Sequence, residues 1–122
     1  MPTILLIDDE APLRKMLKIL LERNGFQVLE APDGHHGVAL YKAHHPDLVI
    51  TDLIMPEKEG LEVIRELKAF DPNIKIIAVS GGGIVDPMMY LKLARQFGAQ
   101  YALSKPISNK DLLSTINSLL TN

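Results

Sequence analysis

The sequence predicts an α/β domain: a doubly wound, five-stranded parallel sheet in strand order 2-1-3-4-5, with five helices in a three-layer αβα arrangement. Three observations predict it. Short continuous apolar runs alternate with segments of helical periodicity along the 122 residues. The connections are short, so each helix is a crossover between parallel strands. The apolar runs are unbroken, as expected where helices cover both sheet faces.

Each element has its own signal. Ile4–Ile7 reads as a fully buried strand. Pro12 opens a helix, where its missing N–H costs nothing. Leu13, Met16, Leu17, Leu20 and Leu21 recur at helical spacing until Asn24-Gly25 stops them. Phe26–Ala31 is the second strand, and Pro32-Asp33-Gly34 turns into a weakly amphipathic helix, Gly34 to Ala43. Leu48–Asp52 is the third strand. Glu59-Gly60 precedes a helix with Leu61, Ile64 and Leu67 on one face. Asp71-Pro72-Asn73 turns into strand four, Ile74–Ser80. A fourth helix begins near Asp86-Pro87 and ends before Gly98. Tyr101–Ser104 is strand five. Ser108 with Asp111 resembles a capping box, opening a last helix with Leu112, Leu113, Ile116, Leu119 and Leu120.

The chain as a whole bounds the function. Its length suits one domain over residues 1–122, and a 47% hydrophobic composition can fill a core. Net charge is −2, from 13 basic and 15 acidic residues, so no concentrated basic face marks nucleic-acid binding. Cysteine is absent, which excludes disulfides and thiolate metal sites. Met1-Pro2-Thr3 lacks the basic start of a signal peptide, and no apolar run approaches a membrane span. A soluble cytoplasmic protein is expected.

Polar residues end the strands. The first runs into Asp8-Asp9, the third ends in Asp52, the fourth in Ser80, and the fifth leads into Lys105-Pro106. The order 2-1-3-4-5 is flavodoxin-like. In such sheets ligands bind at the strands' carboxyl ends, where the order reverses between strands one and three. Three carboxylates there repel one another unless a cation joins them. One divalent ion and the Lys105 ammonium balance them, and Mg2+ favours such oxygen donors. A carboxylate can also attack phosphorus to give an acyl phosphate. Asp52 is then the candidate nucleophile, with Lys105 and Ser80 placed to meet the phosphoryl oxygens. Each motif alone has a plainer reading: Asp8-Asp9-Glu10 as a helix N-terminus, Asp52 as a loop cap, Ser80 as a turn. Their ordered combination carries the chemistry.

On Ile7-Asp8-Asp9-Glu10, Asp47 through Pro56, Val79-Ser80-Gly81, Gly98-Ala99 and Lys105-Pro106, the chain resembles a response-regulator receiver domain of two-component signalling. The resemblance covers essentially the whole length. It implies that a histidine kinase or phosphotransfer protein donates a phosphoryl group to Asp52. It also implies Mg2+ or Mn2+ held by Asp8, Asp9, Asp52 and the backbone carbonyl of Ile54, with Ser80 and Lys105 on the phosphoryl oxygens. The output is altered contact with a downstream protein or an attached output domain. Such a module is not an enzyme beyond accepting the group and assisting its hydrolysis.

Three departures from the family stand out. Ala102 occupies the usual aromatic position before the lysine, and strand alternation points Tyr101 to the other face, so no inward aromatic swing is expected. The stretch from Ser80 to Lys105 is longer than usual, with the excess in Gly81-Gly82-Gly83-Ile84-Val85, read as a tolerated surface insertion. Ile54 and Gly82 offer no hydrogen-bonding side chain beside the phosphoryl position. His35-His36 and His44-His45 read as solvated surface rather than metal ligands, and Met88, Met89 and Leu91 as sheet cover with a possible partner role. The competing functions are a non-phosphorylated pseudo-receiver scaffold, a flavodoxin-like redox protein, and an aspartate-nucleophile phosphatase. Asp8-Asp9-Glu10 would repel a flavin phosphate. Ile54 stands where such a phosphatase carries a second acid.

Overall fold

The computed structural model describes residues 1–53, 55, 60–80 and 87–121. Five strands, β1 (Thr3–Ile7), β2 (Gln27–Ala31), β3 (Leu48–Asp52), β4 (Ile76–Ser80) and β5 (Tyr101–Ser104), alternate with five helices. These are α1 (Ala11–Arg23), α2 (Gly34–His44), α3 (Gly60–Phe70), α4 (Pro87–Phe97) and α5 (Asn109–Leu120). All neighbouring strands run parallel, in the order β2-β1-β3-β4-β5 expected from the sequence.

The apolar strands divide their side chains between two cores. Leu5, Ile7, Val49 and Ala78 face one layer with Val63, Ile64 and Leu67 of α3 and Ala94 of α4. Ile4, Leu6, Ile50 and Val79 face the other, with Leu17 and Leu21 of α1 and Leu112 and Ile116 of α5. Neighbouring residues on one strand thus enter opposite cores, which is why the runs are unbroken.

Three strand starts differ from the sequence reading: β1 begins one residue earlier, at Thr3, and two others begin later. Phe26 stays in the turn that ends α1: its N–H donates to the Leu21 carbonyl at 3.2 Å, and Gly25 supplies a φ of +90°. Ile74 also precedes its strand. Its N–H bonds back to Asp71 O, while its carbonyl accepts from Lys68 Nζ and Gln100 Nε2 at 3.0 Å each. Those bonds withdraw it from the ladder, which begins at Ile76. α5 starts as its cap predicts, with Ser108 Oγ accepting from Asp111 N–H at 3.3 Å. Ile54 and Gly81-Gly82-Gly83-Ile84-Val85 lie outside the described residues, as do the readings placed on them.

Candidate functional site: an acidic cluster at the strand carboxyl ends

The ladder registers bring the polar strand ends to one edge. Ile7 pairs with Thr51, Asp52 with Val79, and Ser80 with Ser104. Asp8, Asp52, Ser80 and Lys105 therefore gather where β1 and β3 diverge. Lys105 N–H donates to Ser80 O at 2.9 Å, and Leu53 N–H to Val79 O at 2.9 Å, which fixes both loops to β4.

The Lys105 ammonium is the hub. Its Nζ lies 2.9 Å from Glu10 Oε1, 3.3 Å from Asp52 Oδ2 and 3.5 Å from Asp8 Oδ2. Asp8, Glu10 and Asp52 each offer a carboxylate oxygen within 4.8 Å of the others, a set able to hold a metal ion. Asp8 and Asp52 are buried, whereas Glu10 is exposed. Asp9 is exposed and stands outside that converging set. Glu10 is the residue sequence reasoning missed. Its position beside the Asp8-Asp9 pair was the available signal.

Burial and charge explain the titration. Burial pushes the Asp8 carboxyl above its ordinary range, and the nearby Glu10 charge adds to this. The Glu10 N–H, which donates to Asp8 Oδ1 at 2.8 Å, and Lys105 oppose it without cancelling it. Burial pulls Lys105 down, but the Glu10 hydrogen bond and the Asp52 and Asp8 charges leave its pKa raised. Three carboxylates against one ammonium leave a local excess of two negative charges, which suits a divalent cation with hard oxygen ligands. The Ser80 hydroxyl is buried and has no hydrogen-bond partner among the described residues. A buried orphan hydroxyl costs free energy unless an incoming group satisfies it.

The raised Asp8 pKa has a stability consequence. A carboxyl that holds its proton more tightly when folded stabilises the protein only while protonated; that contribution falls away as pH rises through the shifted value. At neutral pH, without divalent metal, Asp8 opposes folding. Asp8→Asn should therefore raise Tm by a few degrees in chelator. Melting curves should show the gap widest near neutral pH and closing as pH falls toward the ordinary carboxylate value of 3.8. An equal gap at both pH values would contradict this.

The fifth strand bears on the aromatic departure. Ala102 packs against the α3–α4 core, and Leu103 packs against the opposite one. Tyr101, one residue before Ala102, is 43% exposed. Met88 and Met89 are exposed on α4, and His35, His36, His44 and His45 are exposed around α2. His36 pairs with Asp33 at the start of α2, and His45 stacks on Phe70; none of the four joins the acidic cluster. A broad polar concavity of about 560 Å³ opens at the amino ends of the strands, lined by Tyr41, Asp47, Asp71 and Lys75. It is remote from the strand-end chemistry.

Fold and site together define a signalling module of the doubly wound α/β class. The chain belongs to the response regulator receiver domain family of two-component systems, whose model matches residues 4–117. It is 38% identical to the chemotaxis protein CheY of Bacillus subtilis over 122 residues, covering 96% of both chains. It is 35% identical to the transcriptional regulatory protein CpxR of Klebsiella pneumoniae over 120 residues, covering 98% of this chain and 50% of that one. A receiver domain structure from Clostridium thermocellum superposes with a TM-score of 0.93 at 33% identity, over 99% of this chain and 95% of that one. The chain thus spans nearly all of CheY and about half of the transcriptional regulators. Receiver domains are signalling modules, not classical enzymes. Among the described residues no helix is long and apolar enough to cross a membrane.

Proposed function

We propose that residues 1–122 form one receiver domain that accepts a phosphoryl group on Asp52 from a phosphohistidine donor and signals through changed protein contacts. The observation that carries this reading is the Lys105 ammonium set among Asp8, Glu10 and Asp52, beside a buried Ser80 hydroxyl that has no hydrogen-bond partner among the described residues. An Asp52 carboxylate oxygen forms the new bond to phosphorus. The phosphorus–nitrogen bond of the donor breaks, and its electron pair stays on the imidazole nitrogen. Lys105 neutralises phosphoryl oxygens as it exchanges its carboxylate partners for them, and the Ser80 hydroxyl donates a hydrogen bond to one of them. Asp8, Asp9, Asp52 and the Ile54 carbonyl would hold Mg2+ or Mn2+, which supplies positive charge to the phosphoryl oxygens. The partners are a histidine kinase or phosphotransfer protein and a downstream protein or attached output domain, in the cytoplasm.

Incubation with acetyl phosphate should add one phosphoryl group, mapped to the peptide containing Asp52, and prior chelation of Mg2+ should prevent the addition. Intact-mass and peptide spectrometry check this. Uptake that ignores Mg2+, or none together with no binding of beryllium fluoride, would favour the unphosphorylated scaffold.

A further inference from the structure

The turn between β1 and α1 carries Asp8, Asp9 and Glu10. Lys105 holds its side-chain carboxylates, and Arg14 tethers its backbone. Arg14 Nη1 donates to the main-chain oxygen of Asp8 at 2.7 Å, and Arg14 Nε donates to Glu30 Oε1 at 3.1 Å. The guanidinium side chain is only 13% exposed. One planar group therefore ties β2 to the turn after β1. Lys18 Nζ holds the other Glu30 oxygen at 3.4 Å, which steadies the anchor. Arg14 also lines a small cavity shared with Asp8 and Asp52.

The tethered carbonyl belongs to the peptide joining Asp8 to Asp9. Fixing that peptide fixes ψ of Asp8 and φ of Asp9, and so the direction in which both carboxylates leave the backbone. The Glu10 N–H holds Asp8 from the other side, at its Oδ1. We propose that Arg14 is a positioning residue for metal loading: by clamping the Asp8 carbonyl to Glu30 it presets the carboxylates of the β1–α1 turn. This rests on reading the acidic cluster as a divalent-metal and phosphoryl site. The fork geometry is essential, because a lysine ammonium reaches one of the two oxygens and cannot bridge both in one plane.

The test is the Mg2+ concentration giving half-maximal acetyl-phosphate labelling, with Mg2+ affinity measured separately by calorimetry. The variants are Arg14→Lys, Glu30→Gln and Ile116→Val. Arg14→Lys should raise the Mg2+ midpoint about 10-fold, the scale on which groups that orient metal ligands act. Saturating Mg2+ should restore its labelling. Glu30→Gln keeps an acceptor for Arg14 and should shift the midpoint less. Ile116→Val loosens the core beneath the same helix layer and should leave the midpoint unchanged. A wild-type midpoint in Arg14→Lys, or a matching shift in Ile116→Val, would overturn the positioning role while Mg2+-dependent labelling of the wild type stands. If the wild type itself neither binds Mg2+ nor takes label, the reading of the site fails first and carries this inference with it.

Discussion

Asp52→Asn should abolish phosphoryl uptake from acetyl phosphate while leaving the fold intact. The substitution keeps the shape of a buried side chain and an oxygen that can still face Lys105, 3.3 Å away. What it removes is the anionic oxygen that attacks phosphorus, and an amide oxygen is no substitute as a nucleophile. Core packing around Leu53 and Val79 is untouched, so far-UV circular dichroism should match the wild type. The loss should be complete rather than graded, because the acceptor itself has gone and no amount of added Mg2+ replaces it. Intact-mass spectrometry after incubation gives the answer directly. Label that persists in this variant at the wild-type rate would move the acceptor to Asp8 or Asp9 and refute the assignment.

The parts of the site legible in the sequence are those that a strand end determines. Once Leu48–Asp52 and Ile76–Ser80 are parallel neighbours, the positions of Asp52 and Ser80 at one edge follow from the ladder alone. Lys105 follows from β5 in the same way. Glu10 stood beside the acidic pair, but its contact was not legible. Its part in the cluster depends on a hydrogen bond to Lys105, 95 residues away in sequence, and no local period reports such a contact. Adjacent residues in a turn need not aim their side chains alike, and here Asp8 is buried while Asp9 is exposed. The strand starts at Phe26 and Ile74 misled for a related reason. Both are apolar and buried, but their backbone hydrogen bonds go to turns. Periodicity reads burial, not bonding. Nothing local in the sequence marks Arg14, because its two partners, Glu30 and the Asp8 carbonyl, lie on β2 and in the β1–α1 turn.

Gly60→Ala tests whether the backbone around Asp52 is as tightly set as the site requires. Gly60 is buried at the first position of α3, and its N–H donates to Leu53 O at 2.9 Å. A β-carbon there would sit 2.6 Å from Leu53 Cα and 3.0 Å from the Asp52 carbonyl carbon, and closer still to the Asp52 oxygen. These neighbours are backbone atoms, so no rotamer change relieves the overlap. Either α3 moves away from the end of β3, or the Asp52–Leu53 peptide turns. The first route opens the core under Val63, Ile64 and Leu67, all fully buried. Overpacking of this kind costs about 3 kcal/mol, which in a domain of this size lowers Tm by about 10 °C. The second route redirects Asp52 itself. A displacement near 1 Å at a reacting group can cost about 100-fold in rate, so labelling should fall on that scale at temperatures where the variant remains folded. Calorimetry and acetyl-phosphate labelling together distinguish the routes. A loss of Tm with wild-type labelling assigns the strain to α3. A loss of labelling with little change in Tm assigns it to the Asp52 peptide. Wild-type values for both would show that the approach of α3 to β3 is looser than these distances, and that Asp52 owes its position to Lys105 and the acidic cluster alone.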